Sequence, residues 1–312
     1  MKEFRNYDNS EYQERVEKTY KKMIESQTLD YVIRMKTKYK DYPYIKKTIW
    51  EVIDLLETII DESDPDTNES QLVHACQTSA TIICKYLDYG TYKLKNNIYI
   101  KDLFTYDEWE YLPSEIKQKY PKYLDELYKD IYDWTWFPLV GFIHDLGKIL
   151  IKEEFGGLEQ WTVVGDTFPV GCRFTYKNIF YNKQFHKNNP DYCKYDTYGI
   201  YEANCGLNKL HMSYGHDEYL ASVLEKNDVK LPKEAIYIIR FHSFYAWHSP
   251  KNSSIRGYTY LANDYDWKML PLLKAFQKTD LYSKKNHINL DQIGTIFNPL
   301  IKKYISNNKL IW

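Results

Sequence analysis

Six residues of metal-ligating type stand out along the 312-residue chain: His74 in QLVHACQTSA, the adjacent pair His144 and Asp145 in VGFIHDLGK, His216 in SYGHDEY, His242 in RFHSFYAWH and Asp280 in FQKTDLY. Neutral imidazoles with carboxylates, and no cysteine among them, form a nitrogen and oxygen donor set suited to iron or manganese. Six donors are more than one ion needs if coordination positions are to stay open for substrate, so the set reads as a two-metal centre. In the His-Asp pair the imidazole can hold one ion while the carboxylate, with two oxygens, bridges to a second. A single His beside an apolar face is ordinarily a satisfied core residue, so the weight rests on the combination. Four histidines and two aspartates point to a redox or hydrolytic enzyme rather than a binding module. The remaining histidines, His186, His211, His248 and His287, lack such settings and read as surface or structural.

The elements that must position these residues are mostly helical. Residues 45–60 place Ile49, Val52, Ile53, Leu56 and Ile59 on one stripe at spacings of three and four, which predicts a helix. The polar turn DESDPDTNES follows and supplies caps for a helix over 70–87, with Leu72, Val73, Cys76, Ala80 and Ile83 inward and His74 beside that face. Helices over 215–227, 233–243 and 266–282 carry His216, His242 and Asp280, with Pro232 and Pro271 at or near first turns. The β-branched, glycine-punctuated run over 160–171 reads as a short strand or extended loop, and 172–205 as a long structured loop. A segment over about 88–134 lies between His74 and His144, helical from Pro113 to Ile131, and reads as a peripheral insertion in one domain spanning 1–312.

Bulk composition narrows the setting. With 42 basic and 43 acidic residues the net charge is −1, which gives no nucleic-acid footprint. The apolar run WFPLVGFI is far shorter than the roughly 20 residues of a membrane helix, and the polar N-terminus has no signal-peptide core. Five cysteines, odd in number and without a C-x-x-C pair, argue against a disulfide framework or a thiolate metal site. A soluble cytoplasmic protein is expected.

His144, Asp145 and Lys148, with an earlier His and a late Asp, resemble the metal-dependent HD phosphohydrolase superfamily. A closer resemblance, running from FRNY at residues 4–7 to Trp312, is to the myo-inositol oxygenase family. It is carried by DESDPD, VGFIHDLGK, EQWTVVGDTFPVGC, CGLNKLHMSYGHDEY, LPKEAIYIIRFHSFYAWH and MLPLLKAFQKTDLYSK. The resemblance implies an all-α, HD-domain-like helical bundle with a few short strands and long loops. One iron would be held by His74, His144, Asp145 and Asp280, with Asp145 bridging to a second held by His216 and His242, the pair being mixed-valent Fe(II)/Fe(III). Substrate contacts would fall to Arg5, Asp61, Glu62, Ser63, Lys148, Gly165, Asp166, His242 and Ser243, with Lys148 and Asp145 in catalytic roles. The implied reaction is the O2-dependent, four-electron ring cleavage of myo-inositol to D-glucuronate. No NAD or flavin is expected, and no G-x-G-x-x-G fingerprint is present. A small polyol is the expected partner, with no nucleic acid or membrane, and the chain a monomer or weak oligomer. In the family the interval between the first His and the His-Asp pair is ordinarily shorter, so 88–134 would be additional here.

The competing reading is an HD-type phosphohydrolase acting on a phosphomonoester or nucleotide through metal-activated water. Such an enzyme needs several cations for phosphate, and the basic residues of the motif-bearing stretches near the ligands are Lys148, Arg173 and Arg240.

Overall fold

The computed structural model describes Arg5 and residues 7–40, 45–87, 103–131, 133–250, 255–280, 293–306 and 309–312. Mainly helical, these residues form α1 (Gln13–Ser26), α2 (Leu29–Lys40), α3 (Ile49–Leu56), α4 (Gln71–Tyr86), α5 (Tyr106–Glu110), α6 (Ser114–Asp130) and α7 (Trp136–Ile143). Then come α8 (Gln160–Val163), α9 (His216–Lys226), α10 (Lys233–Phe241), α11 (Tyr245–His248), α12 (Asp264–Asp280) and α13 (Ile293–Tyr304). Two short strands, β1 (Lys46–Lys47) and β2 (Leu310–Ile311), pair antiparallel. Residues 88–102 and 132 of the expected insertion lie outside the described residues, as does His287.

The apolar helix α7 forms the centre of the packing. All eight of its residues are buried, as befits a helix that is apolar all round. It packs most extensively on α4, and Gly141 permits the close approach, since a Cβ there would lie 2.7 Å from Ile82 Cδ1 and 3.1 Å from Ser79 Cα. On another side Phe142 stacks on Phe297 of α13 with ring centroids 4.0 Å apart. The helix α9 packs against α10 and against the 3-10 turn Leu146–Ile151 that leaves α7.

Several expectations are corrected. Residues 45–60 split into β1 and α3, because Thr48 and Glu51 form a reciprocal capping box that starts the helix at Ile49; the apolar stripe itself is buried as read. In α4 the buried face is Ala75, Cys76, Ser79, Ile82 and Ile83, while Leu72, Val73 and Ala80 stay partly exposed. The run 160–163 is one helical turn, α8, packed on α1 and on Leu146–Ile151; packing overrides the strand preference of its β-branched residues. Asn263 caps the amides of Tyr265 and Asp266, so α12 starts at Asp264 and Pro271 lies inside it rather than near a first turn. Residues 172–205 are a long structured loop with short 3-10 turns, as expected. Among the described residues no helix is long and apolar enough to cross a membrane, and the five cysteines are unpaired.

Gly147 is fixed by crowding. A Cβ on it would lie 2.1 Å from the His216 carbonyl oxygen, so the start of α9 rests on bare backbone. Replacing Gly147 with Ala therefore forces the two segments apart. The expected cost is at least about 1–3 kcal/mol, the range for overpacking, read from chemical denaturation.

Candidate metal centre and its cavity

Five of the six ligand-type residues sit at helix ends. His144 and Asp145 directly follow α7, His216 opens α9, His242 follows α10, and Asp280 is the last residue of α12; only His74 lies within a helix, α4. Three imidazoles are oriented by main-chain carbonyls, which can only accept. Nδ1–H of His144 donates to Gly141 O (2.9 Å), that of His216 to Val163 O (2.6 Å) and that of His242 to Ile239 O (2.8 Å). Each ring's other nitrogen, Nε2, is thereby turned inward as a lone-pair donor, the arrangement by which outer partners prepare histidine for a metal.

The inward atoms converge on Asp145. Its Oδ2 lies 3.3 Å from His144 Nε2 and 3.6 Å from His74 Nε2. Its Oδ1 lies 3.3 Å from His216 Nε2 and 3.6 Å from His242 Nε2. Asp280 Oδ1 closes the first group, 2.9 Å from His74 Nε2 and 3.3 Å from His144 Nε2. Donor atoms of His74, His144 and Asp145, and separately of Asp145, His216 and His242, lie within 4.8 Å of one another. The six residues thus come together as two groups sharing one carboxylate. Among the described residues His144 Nε2 is buried without a hydrogen-bond partner, and His216 Nε2 and His242 Nε2 stand 3.2 Å apart. Lone pairs so placed repel unless a cation lies between them, so the donor set fits a pair of metal ions.

The electrostatics agree. Burial opposes charge on His144, yet Asp145 and Asp280 outweigh it and push the imidazole up to about 10. Burial likewise opposes charge on His216, which Asp217 and Asp145 push upward. Against their own desolvation, Asp145 is held well below the usual carboxylate range by His144 and Lys148, and Asp280 by His144 and His74. A field that draws protons onto buried imidazoles also draws a metal ion.

A cavity of about 90 Å³ opens beside the cluster. Lys148 reaches in from the 3-10 turn, and its Nζ donates to Asp61 Oδ2 (2.8 Å), Gln71 Oε1 (2.7 Å) and Asp145 Oδ2 (3.0 Å). Ser63 donates its amide and hydroxyl to Asp61 Oδ1. Elsewhere in the lining Arg5 donates to Asp166 Oδ2 at 2.5 Å and lies over the Tyr245 ring, and Tyr20 donates to Asp166 Oδ1 at 2.8 Å. Gly165 and Ser243 also line the space. Glu62 does not join it; its carboxylate accepts from Thr19 and lines a separate groove with Glu159 and Trp161.

Sequence reasoning passed over Asp217, Gln71 and Tyr20. Asp217 is buried, with Oδ1 2.7 Å from His216 Nε2 and accepting from Ser243 Oγ at 3.2 Å. A signal existed, since His216 and Asp217 repeat the His-Asp dipeptide of 144–145. Of the cations a phosphohydrolase would use, Arg240 is engaged by Glu218 and Glu225, and Arg173 lines another cavity. Lys148 is the keystone of the near wall, with burial opposed and outweighed by Asp145 and Asp61 so that its proton is held more tightly than usual. Lys148→Met leaves two buried carboxylates without their cation, and the expected destabilisation is about 3–5 kcal/mol, measured by urea unfolding of metal-free protein.

Comparison with known proteins adds lineage to this geometry. The family model described as Myo-inositol oxygenase matches residues 13–104 and 115–312, so that of the 88–134 stretch only 105–114 falls outside the match. Inositol oxygenase of Dictyostelium discoideum is 41% identical over 317 residues, covering 100% of this chain and 90% of that one. Inositol oxygenase 1 of Arabidopsis thaliana is 38% identical over 99% of this chain and 84% of its own length. Inositol oxygenase of Homo sapiens is 37% identical over 96% and 88% respectively. With nearly its whole length matched, and with the imidazole and carboxylate cluster inside the matched spans, the chain belongs to the myo-inositol oxygenase family.

Proposed function

We propose that the protein is an inositol oxygenase that cleaves the ring of myo-inositol with O2, a four-electron oxidation giving D-glucuronate, at a mixed-valent pair of iron ions. The observation that carries this reading is the sharing of Asp145 between two groups of imidazoles. His74, His144, Asp145 and Asp280 would hold one iron, and Asp145, His216 and His242 the other. When bound, the iron pair supplies electrons to O2 and Lewis acidity toward a polyol hydroxyl.

The chain's own residues bind and orient the polyol. Carboxylates accept hydroxyl protons and an ammonium donates to hydroxyl oxygens. Asp61 is aimed by Ser63, and Asp166 by Arg5 and Tyr20, so the cavity lining presents two fixed acceptors to a ring of hydroxyls. Lys148 has its protons engaged by Asp61, Gln71 and Asp145; a substrate oxygen enters this set by displacing one of them. Arg5, seated on Tyr245, lines the cavity as a fixed cation. Gly165 and Ser243 complete the substrate contacts, while Glu62 is left out by its placement. Two carboxylates set toward a neutral polyol, with both cavity cations already paired, favour this reading over a phosphate-binding site. The unpaired thiols suit a reducing cytoplasmic setting.

The test is O2 uptake with myo-inositol and formation of glucuronate, set against phosphate release from a nucleotide panel. Uptake without phosphate release is expected; the reverse pattern selects the phosphohydrolase. Asp145→Asn keeps the side-chain shape and halves its oxygen donors. Iron content is expected to fall from two per chain to one or fewer, and turnover to drop more than the roughly 10–100-fold typical of outer-shell changes.

A further inference from the structure

Residues 105–114, the stretch outside the family match, place a carboxylate behind the metal centre. Thr105 and Glu108 form a capping box that starts α5. One oxygen of Glu108 closes that box by accepting the Thr105 amide at 2.9 Å. The other, Oε1, accepts from Lys274 Nζ at 2.7 Å and from Arg256 Nη2 at 3.2 Å. Lys274 and Arg256 are nearly inaccessible, with side-chain exposures of 4% and 2%, and both lie over the Phe104 ring. Two buried cations therefore share one carboxylate, and among the described residues Arg256 Nε has no hydrogen-bond partner. Like charges held this close in a dry site repel strongly unless an anion intervenes.

The cluster is joined to a ligand. Lys274 also donates to the His248 carbonyl at 3.2 Å and to Ser249 Oγ at 3.4 Å. The His248 ring donates through Nε2 to the His242 carbonyl at 2.8 Å. His242 is thus held from behind by α11, and α11 is held by Lys274. We propose that Glu108 is a positioning residue for the metal centre, a tethered anion that keeps Lys274 and Arg256 seated and through them fixes the backbone of His242. The proposal rests on the two-metal reading and deepens it: an anion receptor stands behind the centre, filled in this chain by its own side chain.

The test compares Glu108→Ala, Glu108→Gln and Trp109→Ala with the unsubstituted protein. Iron affinity is measured by chelator competition, with thermal unfolding and steady-state kinetics, each with and without added formate. Both Glu108 variants are expected to lose about tenfold in iron affinity. Their kcat falls while KM for inositol stays within about twofold, because Glu108 does not line the cavity. Formate, a small carboxylate, restores iron affinity and thermal midpoint to Glu108→Ala and leaves the unsubstituted protein unchanged. Trp109, which packs on Phe104 and Tyr120, serves as the packing control: its truncation lowers the midpoint and leaves iron affinity intact. Iron binding at the unsubstituted level in both Glu108 variants, or failure of formate to restore Glu108→Ala, overturns the proposal. Absence of iron uptake by the unsubstituted protein overturns the two-metal reading and this inference with it.

Discussion

The two oxygens of the Asp145 carboxylate face different histidines, Oδ2 toward His74 and His144 and Oδ1 toward His216 and His242. Everything around this carboxylate serves to keep it ionised and still. It is almost wholly buried, where an uncompensated charge costs several kcal/mol, and Lys148 is the permanent cation that offsets it. Lys148 in turn orders Asp61 and Gln71, one from the turn after α3 and one from the start of α4. A single anion thereby ties together five parts of the chain: the turn after α3, α4, the turn after α7, α9 and the end of α10. The crowding at Gly147 follows from the same demand, because Asp145 can meet His216 only if the turn after α7 lies against the start of α9.

The candidate site draws five of its six converging side chains from helix ends, and this explains what the sequence could and could not reveal. The types of those six residues and their settings were legible, and so were the helices near 216, 233 and 114 from periodicity and turn residues. The face of α4 was not. Leu72 and Val73 look like core residues, but His74 must reach Asp280 and Asp145, which rotates the small residue Ser79 onto α7 beside Gly141. Hydrophobicity ranks bulk, whereas this contact selects for closeness. The starts of α3 and α12 were displaced for a related reason: Thr48 with Glu51, and Asn263, are local caps whose effect is decided by single hydrogen bonds.

Gln71 and Tyr20 illustrate the remaining gap. Each is polar and unremarkable in sequence, and each acquires a role only through long-range pairing, as when Tyr20 meets Asp166 across 146 positions. Arg5 is a similar case. Position near a terminus suggests solvation, yet the guanidinium is buried, paired with Asp166 and set on Tyr245. The phosphate-binding cations of the alternative reading fail for the complementary reason, since Arg240 is consumed by Glu218 and Glu225 on α9. Charge available in a sequence is not charge available in a cavity.

The clamps on His144, His216 and His242 are carbonyls of Gly141, Val163 and Ile239, and a carbonyl belongs to every residue type. Genetic drift at Val163 and Ile239 can alter bulk and polarity without deleting the acceptor, while Gly141 is kept small by the approach of α4. The aim of the imidazoles is therefore inherited with the path of the main chain, and lineages diverging widely elsewhere can keep the same inner geometry.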